Sequence, residues 1–279
     1  MPLLHTLPFI AYLIAGLLLT RYFVLDTVTN QHRIIVNLML LVACSSHGFI
    51  LFELWQHQGV FFGLTVSISF VAWVVATLLF LTSFTKPIHS LGIIVYPISA
   101  IAVIIAFLYP GTQGKLLSIS IAAHVFLSIG AYAILSLAVG QSLLLSIQER
   151  FLHEHNLNTF VNKLPAFQTM EDFLYQTLKM GFLLLTLSLI SGYFYITDFF
   201  TQKLTYKTIL SIMAWIGFAG ILFAHMVFGI RGKLIILLTQ IAFSVLVLSY
   251  FGTKFFICLL YTSDAADEGL GVDLGGRRI

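Results

Sequence analysis

Residues 214–233 read "AWIGFAGILFAHMVFGIRGK". From Ala214 to Phe228 the only side chain that can ionise is His225, and the run then stops at Gly229, Ile230, Arg231, Gly232 and Lys233. An α-helix needs about 20 apolar residues to cross a hydrocarbon layer of about 30 Å. An apolar run of this length that ends in basic residues is therefore a spanning helix meeting its interface.

The rest of the chain repeats that pattern. Apolar residues make up 59% of the 279 residues and charged residues 9%, and the mean hydropathy is +1.00. Soluble domains carry about 25% charged residues, so the composition belongs to an integral membrane protein. The alternation of a membrane β-barrel is missing. Eight hydrophobic segments stand out, at 3–21, 34–55, 62–84, 91–109, 117–147, 176–198, 207–229 and 234–257. The expected fold is an all-α polytopic membrane helix bundle of about eight transmembrane helices over residues 1–257. Residues 1–20 lack a basic leader and a small-residue cleavage site, and are read as the first span.

The connections are short except for 148–175, which carries Glu149, Arg150, His153, Glu154 and His155. Within it, Thr169 followed by Glu171 and Asp172 has the pattern of a helix N-terminus, which predicts a short interfacial helix leading into the sixth segment. Lys and Arg near segment ends set orientation. One side holds Arg21, Arg33, Lys86, Arg150, Lys163, Lys179, Arg231 and Lys233, and the other holds Lys115, Lys203, Lys207 and Lys254. Eight against four predicts both termini outside and the long loop in the cytoplasm. The last 22 residues, "CLLYTSDAADEGLGVDLGGRRI", break the apolar pattern and hold four of the eleven acids. They resemble a translated sequencing-adapter tail and are expected to be non-native, or else a short disordered tail.

Several function classes lose support here. A net charge of +3 with no basic stripe gives nucleic acid no footprint. Cys44 and Cys258 form neither a CxxC pair nor a zinc spacing. No GxSxG, HExxH, Walker or dinucleotide fingerprint is present, and the spans hold no carboxylate pair, so catalytic turnover is not expected.

Ionisable groups inside spans are expensive and mark either function or a protein-facing position. His47 and His225 are embedded in spans and His124 lies a turn or two into its segment, and these three stand out among the nine histidines. His124 opens a stripe with Ser128, Tyr132, Ser136 and Gly140; residues four apart share a helix face, and small polar faces admit a second helix or line a polar cavity. His47 and His124 each lie about seven residues from the outer boundary, a depth of roughly 10 Å. Neutral imidazole is a good ligand for haem iron, and two imidazoles at matched depth have the placement to share one iron. His225, near the inner end, is too far down to join them. The plainer alternative for each is a neutral histidine bonded to a carbonyl. Arg231 and Lys233 have the charge to pair with haem propionates, though their simpler role is to fix topology.

Three blocks in order carry a family resemblance. They are "HVFLSIGAYAILSLAVGQSLLL" (124–145), "DFLYQTLKMGFLLLTLSLISGYFY" (172–195) and the opening stretch at 214–233. Together with the helix count, they resemble the cytochrome c assembly protein family of the CcsA, CcmC and HemX type, in its YpjD-like inner-membrane branch, over about residues 34–257. The resemblance implies haem as cofactor, bound through histidines on membrane helices and passed outward for attachment to apocytochrome c. By position it implies His124 as the outward-facing ligand, His225 as the ligand of the penultimate helix and His47 as an early-helix ligand. Partners would be the lipid bilayer and other cytochrome assembly membrane proteins. One departure stands out: the tryptophan-rich "WWD" loop of haem exporters is replaced by "TDFFTQKLTYKT" (197–208), which favours haem binding or regulation over direct presentation. The competing readings are a small-solute or ion transporter and a non-haem structural subunit of a membrane complex. No repeat between the halves is evident by inspection, and Pro97 is the clearest helix interruption.

Overall fold

The computed structural model describes residues 2–25, 30–58, 64–84, 89–109, 118–153, 164–195 and 205–252. Eight helices long and apolar enough to cross a membrane account for nearly all of them, and no strand occurs among the described residues. They are α1 (Pro2–Leu25), α2 (Asn30–Gln58), α3 (Leu64–Thr82), α4 (His89–Leu108), α5 (Ile119–His153), α6 (Phe167–Tyr195), α7 (Thr205–Phe228) and α8 (Lys233–Val247), the last closed by a π-helical turn at Leu248–Gly252. A spanning helix keeps its backbone bonds internal, which is why apolar runs of this length fold this way. Hydroxyls follow the same rule by bonding back one turn, as Thr20 does to the Gly16 carbonyl at 2.8 Å and Thr239 to that of Ile235 at 2.8 Å.

Two expectations about boundaries change. Helix α6 begins at Phe167 and contains Thr169, Glu171 and Asp172, so the stretch read as an interfacial helix is the start of the sixth span itself. Side-chain amides of α5 hold this first turn in place: Gln148 Nε2 donates to the Pro165 carbonyl at 3.1 Å and Gln141 Nε2 to the Met170 carbonyl at 3.2 Å. Similarly, Glu149, Arg150 and His153 belong to the last turns of α5 rather than to a loop. Both helices, 35 and 29 residues long, exceed the roughly 20 residues a bilayer needs, and they pack on each other more extensively than any other pair. Pro97 does not interrupt α4. Its ring packs on Gly16 of α1, where an added Cβ would come within 2.9 Å of Pro97 Cγ. Residues 196–204 and 253–279, including most of the loop that replaces the tryptophan-rich segment and the acidic tail, fall outside the described residues, while Thr205 to Thr208 open α7.

The helices form two four-helix rings. In the first, α1 packs on α2 and α4, and α3 packs on the same two; in the second, α5 and α7 each pack on α6 and α8. The rings meet mainly through α3 and α5. The third helix of each ring carries the same short pattern, Ser-x-x-Ala-Trp, as Ser69-Phe-Val-Ala-Trp73 in α3 and Ser211-Ile-Met-Ala-Trp215 in α7. Each tryptophan then reaches the second helix of its own ring: Trp73 Nε1 donates to the Cys44 carbonyl and Trp215 Nε1 to Thr186 Oγ1, both at 2.8 Å. The halves are thus matched in helix order and in this contact, although inspection of the sequence shows no repeat. Near-uniform apolar composition conceals a similarity that resides in packing.

The core of the first ring contains the fully buried Tyr12 and Tyr96, stacked with centroids 6.2 Å apart. Large aliphatic side chains such as Leu17 and Ile98 point outward, as a lipid-facing surface requires. The Gly16–Pro97 approach generates a prediction. A proline ring cannot yield as a flexible side chain does, so Gly16→Ala should destabilise the bundle by about 1–3 kcal/mol, lowering the melting temperature of the detergent-solubilised protein. Gly220→Ala, where nothing lies within 4 Å, should not. Equal melting temperatures for Gly16→Ala and the unaltered chain would contradict the close approach.

Candidate functional site

His225 lies three residues before the end of α7, and its surroundings are built by the turn that follows. Gly229 (φ 64°) and Gly232 (φ 76°) both adopt left-handed backbone conformations, which favour glycine. Gly229 caps α7 by donating its N–H to the His225 carbonyl at 3.1 Å. The turn presents the Ile230 carbonyl to two donors at once: Tyr175 Oη at 3.0 Å and His225 Nδ1 at 3.2 Å. The imidazole lies flat on the Tyr175 ring, with centroids 3.4 Å apart and planes 14° apart. A carbonyl oxygen only accepts, so Nδ1 must carry the proton. In the neutral ring Nε2 is then the bare nitrogen, and no hydrogen bond to it occurs among the described residues.

A buried carboxylate completes this corner. Glu171, 5% exposed, sits one turn before Tyr175 on the same face of α6. Its Oε1 accepts the Gly232 N–H at 2.8 Å, and its Oε2 lies 3.8 Å from Arg231 Nη1. Asp172 Oδ1 is 3.9 Å from the same nitrogen. The negative charge therefore meets both the positive end of α8 and a guanidinium. Arg231, expected to fix topology or meet propionates, stands beside two carboxylates of its own chain.

His124 is built on the same logic at the other end of α6. Its Nδ1 lies 3.0 Å from the Ser188 carbonyl and 3.1 Å from Ser191 Oγ. Gly192 leaves room for the ring, since a Cβ there would fall 3.0 Å from Cε1. The carbonyl again assigns the proton to Nδ1 and leaves Nε2 bare. Below it, Ser128 Oγ bonds Ser188 Oγ at 2.6 Å and Tyr132 Oη donates to the Leu246 carbonyl at 3.2 Å. The expected stripe on α5 is thus a seam that meets α6 and then α8, and Gly140 lies beside Leu91 of α4.

His47 differs. It is 1% exposed, with Nδ1 3.4 Å from Tyr12 Oη and Nε2 2.9 Å from Ser69 Oγ. Both ring nitrogens are engaged, whichever one carries the proton. To ligate a metal, His47 would have to give up one of these bonds.

The three histidines are not brought together. Ser188 and Tyr175 are 13 residues apart on α6, and at 1.5 Å per residue this puts the His124 and His225 rings about 20 Å apart along the helix. One iron cannot take both. His47 and His124 lie at neighbouring levels, because Phe70, next to Ser69, packs its ring 5.7 Å from that of Phe126. However, they turn into different rings, His47 toward α1 and α3 and His124 toward α6. No cluster of three or more His, Cys, Asp or Glu able to hold a metal occurs among the described residues. Sequence reasoning missed Tyr175, Glu171 and Ser188 as partners. The i, i+4 spacing of Glu171 and Tyr175 was a usable signal, hidden by reading the acid as a helix start.

Residues 61–260 match the family described as Cytochrome C assembly protein. The chain belongs to this family. Among curated relatives, "Inner membrane protein YpjD" of Escherichia coli (strain K12) is 30% identical over 131 residues, 47% of this chain and 49% of that protein. "Uncharacterized 28.8 kDa protein in nifR3-like 5'region" of Azospirillum brasilense is 30% identical over 148 residues, 52% of this chain and 55% of its own length. The chain spans about half the length of the curated relatives it matches. No solved structure matches. This member of the cytochrome c assembly family is thus a helical bundle with eight candidate spans.

Removing the His47 ring leaves Tyr12 and Ser69 buried without their shared partner. His47→Ala should cost about 1–3 kcal/mol, seen as a lower melting temperature in detergent. An unchanged melting temperature would contradict a framework role.

Proposed function

We propose that this protein is a multi-pass inner-membrane protein that binds haem in the course of cytochrome c assembly or its regulation, without catalytic turnover. His124 and His225 are the ligand candidates, each at its own level. The observation that carries the reading is the paired tautomer. In both residues a backbone carbonyl takes the Nδ1 proton and leaves Nε2 bare, as in histidines that ligate metals. This donor set fits haem iron, which takes a neutral imidazole nitrogen as its axial ligand. Haem bound at either level would supply that iron. The chain's own part is to hold each ring, with Tyr175 against one face of His225 and Gly192 making space for His124.

Family membership supports the assembly role, and the Escherichia coli relative's description as an inner membrane protein supports the location. In this reading Arg21, Arg33, Arg150, Lys179, Arg231 and Lys233 mark the cytoplasmic end, so His225 lies toward the cytoplasm, His124 toward the outside and both termini outside. Other membrane proteins of cytochrome assembly are the natural partners. The matched order of the two four-helix rings favours one alternative, a small-solute transporter built from parallel repeats. Solute uptake by proteoliposomes that survives loss of both histidines would support it.

The test is a visible spectrum of the detergent-purified protein titrated with hemin. The unaltered chain should develop a Soret band, His124→Ala and His225→Ala should each reduce it, and the double variant should abolish it, whereas His47→Ala should retain it. A colourless unaltered protein, or a double variant that binds hemin as well as the unaltered chain, would overturn the reading.

A further inference from the structure

We infer that Glu171 is a positioning residue for His225: by pinning the Gly229–Gly232 turn it fixes the Ile230 carbonyl, which in turn holds Nδ1 of the imidazole and leaves Nε2 to a ligand. The inference rests on the haem reading of His225.

The turn is held locally at its start, where the Gly229 and Ile230 N–H groups bond back to the His225 and Ala224 carbonyls at 3.1 and 3.4 Å, and its far end depends on other helices. Two of its residues are glycines in left-handed conformations, which also have many other backbone states open to them. Gly232 is the N-cap of α8 and provides no side-chain cap. The missing cap comes from another helix, as Glu171 Oε1 accepts the Gly232 N–H at 2.8 Å. A buried carboxylate is costly unless charge and hydrogen bonds compensate it. Here the α8 N-terminus and Arg231 do so.

A glutamate at the third position of α8, which Ile235 occupies, would satisfy the same N–H without reaching α6. The carboxylate instead ties α8 to α6 at the point where Tyr175, one turn along, bonds Ile230 and covers the His225 ring. Two helices thus donate to one carbonyl, a third is tied in two residues further on, and that carbonyl decides which nitrogen of the neutral His225 ring is bare.

The experiment uses the full chain in detergent with His124→Ala, so that hemin reports on His225 alone. Glu171→Ala should weaken hemin binding about 10- to 100-fold, the usual effect of losing an outer partner of a ligating histidine. It should also broaden or shift the Soret band. Glu171→Gln, which keeps an acceptor for the Gly232 N–H, should restore most of the affinity, and Tyr175→Phe, which keeps the ring but loses one bond to Ile230, should fall between. Independently of haem, Glu171→Ala should speed hydrogen exchange of the amides at 229–236 in the haem-free chain. Hemin affinity and spectrum unchanged in Glu171→Ala, beside loss of hemin in His225→Ala, would overturn this inference alone. Hemin retained in His225→Ala would overturn both it and the ligand assignment.

Discussion

The hydrocarbon of a bilayer offers a buried polar atom no water to bond, so each one has to be matched inside the bundle or left at a cost of several kcal/mol. In this protein the constraint decides which nitrogen each histidine presents. Carbonyls at Ser188 and Ile230 take the Nδ1 protons of His124 and His225. His47 spends both nitrogens on Tyr12 and Ser69. Three histidines that look alike as polar residues in apolar runs separate into two that keep a bare nitrogen and one that is bound into the framework.

Helix α6 links the two bare nitrogens. It supplies Glu171 and Tyr175 near one end and Ser188, Ser191 and Gly192 near the other, so a single rigid element sets both corners and their separation. Its long contact with α5 and the amide bonds from Gln141 and Gln148 fix where it starts. A shift of one residue in that start would turn Glu171 away from Gly232 and Tyr175 away from His225 together.

Much of the fold was legible in the sequence. Apolar runs of spanning length located the eight spanning helices among the described residues, because hydrophobicity over about 20 residues is the physical requirement for crossing a bilayer. Boundaries were less legible: α5 and α6 extend past the apolar runs because they are held by each other. The site was legible as residues and not as geometry. His124 and His225 stood out as imidazoles in greasy surroundings, and the plainer alternative of a carbonyl-bonded histidine describes both rings in the structure. Ser188, which bonds His124, lies 64 positions away and Tyr175, which covers the His225 ring, lies 50 positions away, contacts that no local pattern encodes. The similarity of the halves was illegible for the opposite reason, since Ser-x-x-Ala-Trp is too short to stand out until both tryptophans are seen to reach the same neighbouring helix.

The central claim is that the backbone assigns the proton of His124 and His225 to Nδ1. Nitrogen-15 magnetic resonance of the haem-free protein, labelled at histidine and assigned by single substitution, reads this directly. Protonated Nδ1 and unprotonated Nε2 in both residues is the predicted result. Nε2–H tautomers at either residue would contradict the account there.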